Sequence, residues 1–116
     1  MPAQVRIVNP SDAMIRETYN GGHISRRLVR REHGLSSMSL NITTIHEPFS
    51  DDAPVRYDGY DQIIYMLSGE AQVEFDGGSH ILGPGAALII PNGCTYKYKV
   101  LKSPTEIVAV FAPGRF

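Results

Sequence analysis

In the stretch VRYDGYDQIIYM, residues 55–66, four polar side chains stand at every second position: Arg56, Asp58, Tyr60 and Gln62. On an extended chain successive side chains alternate faces, so these four share one face, with Ile64 and Met66 following them. As a set they suit acid–base work on a small polar molecule. Arg56 offers a planar fork for a carboxylate or phosphate. Asp58 is a candidate general base, or a group that orients one. Gln62 can hold a substrate by hydrogen bonds without adding charge. Further on, TYKYKV sets Tyr96 and Tyr98 on one face of a second strand. The phenols of Tyr60 and Tyr96 are candidate proton donors or acceptors beside a developing oxyanion, and Tyr98 a substrate contact. The plain alternative is that Arg56 and Asp58 pair with each other and that the tyrosines only pack.

Those residues need strands and tight corners to hold them. VRIVN reads as a short strand, and SDAMIRETY as a short helix with Ser11 as N-cap, ended by Asn20, Gly21 and Gly22. HISRRLVRRE and SMSLNITTIH favour strand through alternation and β-branched residues. EPFSDDAP reads as a loop. QIIYML and AALII are continuous apolar runs, stopped by Ser68–Gly69 and by Pro91–Asn92–Gly93. AQVEF alternates and meets the hairpin signal DGG; EIVAVFAP is a last strand. Nine or ten strands joined by turns drawn from eleven glycines and eight prolines predict an all-β sandwich or closed barrel. The 116 residues make one small domain, with N-terminal strands over about 1–47.

The segment YDQIIYMLSGEAQVEFDGGSHILGPGAALIIPNGCTY resembles the cupin family. YMLSGEAQVEFDG is similar to the end of the first cupin motif. GPGAALIIPNGCTY is similar to the second, with Pro91, Gly93 and Tyr96 in its Pro-x-Gly-x-x-His positions. The resemblance covers about 55–113 and implies a small jelly roll, the double-stranded β-helix barrel. Within the family, GYDQIIYMLSGE resembles the ethanolamine-utilization cupins, while SRRLVRREHGLSSMSLNITTIHEP and VAVFAPGRF resemble the ectoine synthases. It implies that Asp58 and Gln62 point into the barrel, so that Arg56, Tyr60, Ile64 and Met66 do too, leaving Tyr57, Asp61 and Tyr65 outside.

The resemblance also places the usual metal ligands at Arg56, Asp58, Gln62 and Tyr96. The ectoine synthase set falls on Gln62, Leu88 and Tyr96. Arginine stays protonated and cannot coordinate, Gln62 offers a neutral carbonyl, and a tyrosine must ionise to bind well. No cofactor is therefore expected. Of the four histidines, His46 ends the strand leading into the first motif and is a candidate at the barrel mouth. His23 falls where ectoine synthases carry an aromatic substrate contact. His33 and His80 read as turn residues. Thr43 and Thr44 match a threonine-bearing ectoine synthase segment, and one of them, with Thr44 preferred, is expected to face the ligand.

SRRLVRR sets Arg26 and Arg30 on one face and Arg27 and Arg31 on the other; a charged, solvated or dimer-edge strand is expected, an anion site being the alternative. The lone Cys94 excludes an intrachain disulfide, and no basic partner marks it as a nucleophile. A net charge of −1 gives no nucleic-acid or membrane-binding surface, and no apolar run suggests a leader or a membrane span. A cytoplasmic homodimer that binds a small-molecule ligand is expected. Three functions fit: a metal-independent lyase, isomerase or cyclase acting on a small polar or carboxylate metabolite; a non-catalytic ligand-binding or scaffold cupin of a metabolic operon; or a metallo-cupin that recruits His46 with Asp58 and Tyr96.

Overall fold

The computed structural model describes residues 5–18, 22–46 and 50–116, and the side chains of all of these except 50–53. Among the described residues there are eight strands: β1 (Met14–Thr18), β2 (His23–Val29), β3 (Ser39–Ile45), β4 (Ser50–Arg56), β5 (Asp61–Phe75), β6 (Gly78–Leu82), β7 (Ala87–Ile90) and β8 (Thr95–Ala112). The only described helices are single 3-10 turns at Pro10–Asp12 and Arg31–His33.

Every pairing is antiparallel, and β5 and β8 are shared between two layers. Their first and last halves respectively, 61–66 and 107–112, pair with each other and carry β7 on one side and β3, β2 and β1 on the other. Their remaining halves pair over 70–74 and 97–102, flanked by β6 and β4. The two layers face one another, which is the jelly-roll barrel expected from the sequence.

The corner that lets both strands pass from one layer to the next is built at Gly69 and Thr105. Gly69 has φ +86°, and a β-carbon there would lie 2.3 Å from Thr105 Oγ1. The backbone of Glu70 donates to that oxygen at 3.2 Å, and the hydroxyl donates to the Lys102 carbonyl at 2.8 Å. Only glycine offers both the conformation and the room.

The structure corrects four local expectations. QIIYML and AQVEF are one bent strand rather than two, as are TYKYKV and EIVAVFAP, so the count falls to eight. Residues 5–9 are not a strand, and Val5 and Ile7 are exposed. SDAMIRETY is one 3-10 turn, in which the Asn9 N–H donates to Asp12 Oδ2 at 3.1 Å, followed by β1. There, pairing of Met14–Thr18 with β2 overrides helix propensity. The described part of EPFSDDAP belongs to β4; Tyr19, Asn20, Gly21 and residues 47–49 lie outside the described residues.

Buried Ile64, Val73, Ile90, Tyr96, Ala109 and Phe111 form the core between the layers. The outer face of β5 and its neighbours is also apolar. Ile63, Tyr65, Leu67 and Ile89 are exposed there, with Ile63 in register between Ile89 and Val110. No described helix is long and apolar enough to cross a membrane.

Candidate functional site

Inward side chains of both layers line a cavity of about 320 Å³ that opens to solvent. One wall is polar. It comes from β1, β2 and β3, whose alternate residues Arg16, His23, Ser25, Arg27, Asn41 and Thr43 face inward. Register sets Arg16 opposite Ser25, Ser25 opposite Thr43, and Arg27 opposite Asn41. Most of the remaining lining is apolar: Ile64, Met66, Ile107 and Phe111 continue the same layer, and Val73 and Val100 come from the facing one. Tyr57, Gln62, Tyr96 and Tyr98 also line the cavity. The Tyr96 hydroxyl donates to Gln62 Oε1 at 3.4 Å, and both side chains are buried.

The segment after β8 completes the polar side. Arg31 donates through Nε and Nη2 to the Gly114 carbonyl at 3.1 and 2.8 Å, and its backbone N–H donates to the Phe116 carbonyl at 2.7 Å. The Arg115 N–H donates to Ser39 Oγ at 3.0 Å. Held in this way, Arg115 sits over the Tyr57 ring at 4.4 Å, while Arg27 sits over the Phe116 ring at 3.9 Å. Such stacking orients a guanidinium without neutralising it.

Arg16, Arg27 and Arg115 thus face one cavity, and none of them has a carboxylate partner among the described residues. Burial first, and then the charges of Arg16 and Arg115, hold the Arg27 guanidinium below its usual pKa. Three like charges without a carboxylate partner among the described residues give the cavity a positive potential.

The expected site residues divide. Gln62, Tyr96 and Tyr98 line the cavity. Arg56 and Asp58 do not: both are exposed, and Arg56 Nε donates to Asp58 Oδ1 at 2.8 Å, so the two pair with each other. The reason is the turn at Asp58–Gly59, where Gly59 has φ +92° and inserts a step that reverses the alternation. Val55 and Tyr57 therefore face inward before it, and Gln62, Ile64 and Met66 after it. Tyr57 is inside, contrary to the parity expected from the sequence. Tyr60 is half-buried outside the cavity wall, its ring edge-on to Phe111 at 6.0 Å. Thr44 points outward, accepting from Arg26 Nη1 at 2.8 Å; its neighbour Thr43 faces inward. His46 is half-buried off the wall, its backbone N–H bonded to the Gly22 carbonyl at 2.8 Å.

Sequence reasoning missed Arg16, Arg115, Ser25 and Asn41 as cavity residues and reached Arg27 only through the alternative of an anion site on SRRLVRR. The period-two spacing of His23, Ser25 and Arg27 was the available signal for β2. Arg115 carries no such signal, because its place depends on bonds from Arg31 and Ser39 on distant elements.

The side chains present do not suit the metal position of the fold family. Arg56 and Asp58 are turned away, leaving an amide and a phenol, with one imidazole elsewhere on the wall. No group of three or more His, Cys, Asp or Glu able to hold a metal occurs among the described residues. The same cavity holds three guanidinium charges. This donor set does not fit a divalent cation.

A model of the cupin domain matches residues 46–111. None of the curated proteins compared with this chain matches it. Among solved structures, KdgF from Halomonas sp. superposes with a TM-score of 0.82 at 17% identity, covering 97% of this chain and 96% of that one. Ectoine synthase from P. lautus gives 0.79 at 22% identity, over 96% of this chain and 80% of that one. A protein described as ethanolamine utilization protein Q, from Salmonella typhimurium LT2, gives 0.70 at 22% identity, over 96% and 88%. Identities this low carry the fold and not the reaction. The matched segment spans more than half of the sequence and includes both turns that frame Gln62 and Tyr96, so the chain belongs to the cupin family.

Proposed function

We propose that this cupin is a small-molecule enzyme of lyase, isomerase or cyclase type that works without a metal on a small carboxylate metabolite. The observation that carries the reading is the trio Arg16, Arg27 and Arg115 lining one cavity together with apolar side chains of both layers. The guanidiniums bind and orient the anion, and the apolar lining takes the rest of the substrate. The proton-transfer role expected of Asp58 passes to Tyr96, oriented by Gln62, and to His23, since an imidazole is the side chain whose charge changes nearest neutrality. The anion-clamping role expected of Arg56 passes to Arg27.

The test is to incubate the chelated protein with a panel of small carboxylates and follow each by NMR. Turnover that falls at least about a hundredfold in Tyr96→Phe or His23→Gln, with binding retained, supports the enzyme. Saturable binding with no chemical change in any of them supports a binding module instead.

The expected homodimer is retained as part of this proposal, with its contact on the outer face of β5 rather than along an edge strand. That face is apolar at Ile63, Tyr65 and Ile89, with Arg26, Glu106 and Asp61 at its margins, so a two-fold related copy can set opposite charges against each other.

A further inference from the structure

Two buried side-chain atoms in the cavity wall have no hydrogen-bond partner among the described residues: Nε of Arg27, a donor, and Oδ1 of Asn41, an acceptor. Arg27 and Asn41 are direct register partners on β2 and β3. Paired positions of this kind stand about 5 Å apart. Asn41 is only 7% exposed, and its Nδ2 donates to Ser25 Oγ at 3.2 Å, which fixes the amide with its oxygen unsatisfied. A buried polar group without a partner costs stability unless something else supplies the bond.

We infer that Arg27 and Asn41 form a donor–acceptor subsite for a hydroxy carboxylate, with the carboxylate on Arg27 and the neighbouring hydroxyl donating to Asn41 Oδ1.

The inference rests on the proposed anion-binding cavity and narrows its substrate class. A simple carboxylate supplies only acceptors and leaves Asn41 unsatisfied. A polyol supplies the donor but no charge for the guanidiniums. An amino carboxylate supplies both, but its ammonium would lie among Arg16, Arg27 and Arg115 and be repelled. A hydroxyl on a carbon next to the carboxylate, or one further, meets both needs. The apolar part of the lining takes a short hydrocarbon remainder.

Four matched four-carbon probes separate these contributions: butyrate, 2-hydroxybutyrate, 2-aminobutyrate and 1,2-butanediol, each titrated into labelled protein and followed by NMR. The expected order places 2-hydroxybutyrate about tenfold tighter than butyrate, with the amino acid and the diol weaker than both. Asn41→Leu should bring 2-hydroxybutyrate down to the affinity of butyrate and leave butyrate unchanged. Asn41→Asp, which keeps the shape but adds a negative charge beside Arg27, should weaken both anions and guards against a misfolded leucine variant.

Equal binding of butyrate and 2-hydroxybutyrate, both lost in Arg27→Gln, would overturn this inference and leave the anion cavity standing. The subsite is equally overturned if Asn41→Leu destabilises the free protein yet leaves the ligand preference intact, because the two atoms then bond each other in solution. Diol binding as tight as that of the anions and indifferent to Arg27→Gln would overturn both the subsite and the anion cavity, as would binding of none of the four.

Discussion

Arg56 and Asp58 are bonded to each other outside the barrel, with Arg56 Nε 2.8 Å from Asp58 Oδ1 and 58% and 73% of the two side chains exposed. Exposed pairs of this kind contribute about 0–1 kcal/mol. Asp58→Ala is therefore expected to change unfolding free energy by less than about 1 kcal/mol and to leave ligand affinity unchanged. Urea melts and a ligand titration check this; a large loss of affinity would put Asp58 back at the cavity.

Gly69→Ala should be far more damaging. The added methyl would meet Thr105 Oγ1 at 2.3 Å and Thr105 Cα at 2.6 Å, from a backbone at φ +86°. Overpacking and the left-handed conformation together predict a loss of about 3 kcal/mol. Gly77→Ala is the control: it has φ +74° but no heavy atom within 4 Å, so only the conformational cost of about 1–2 kcal/mol remains. Equal losses in the two variants would remove the packing role assigned to the Gly69–Thr105 corner.

Anions should stabilise the folded protein through the cavity. At about ten times its dissociation constant, a carboxylate contributes about 1.4 kcal/mol, which raises the thermal midpoint by roughly 5 °C in a domain of this size. The rise should be larger for a carboxylate than for chloride at equal ionic strength, and should vanish in Arg27→Gln. Thermal melts across matched salts measure it.

Much of the fold was legible because β5 and β8 carry it. Their apolar runs and the stops at Ser68–Gly69 and Pro91–Gly93 mark a jelly roll, and Gln62, Tyr96 and Tyr98 were read from them. The expectation failed where one glycine turn intervenes: Gly59 resets the alternation, so Asp58 and Arg56 leave the cavity and Tyr57 enters it. Arg27 was visible on one face of β2, but which face points inward depends on pairing with β3. Arg115 was not legible, because Arg31 and Ser39, far away in sequence, place it.

Ile89 is 75% exposed on the apolar outer face of β7. Ile89→Asp should change monomer stability by no more than about 0.5 kcal/mol while converting a dimer to monomer in light scattering. A monomeric wild type, or a dimer indifferent to this substitution, would contradict the face assigned to the second copy.

The proposed cavity takes an anion, and the side chains at the positions that the cupin resemblance gives to metal ligands do not suit a divalent cation. Calorimetric titration of 2-hydroxybutyrate into protein purified without a histidine tag, with and without chelator and paired with elemental analysis, is the decisive experiment. The expected result is one site per chain, affinity unchanged by chelator, no stoichiometric metal, and loss of binding in Arg27→Gln. Stoichiometric metal, with binding abolished by chelator and insensitive to Arg27, would contradict the anion cavity.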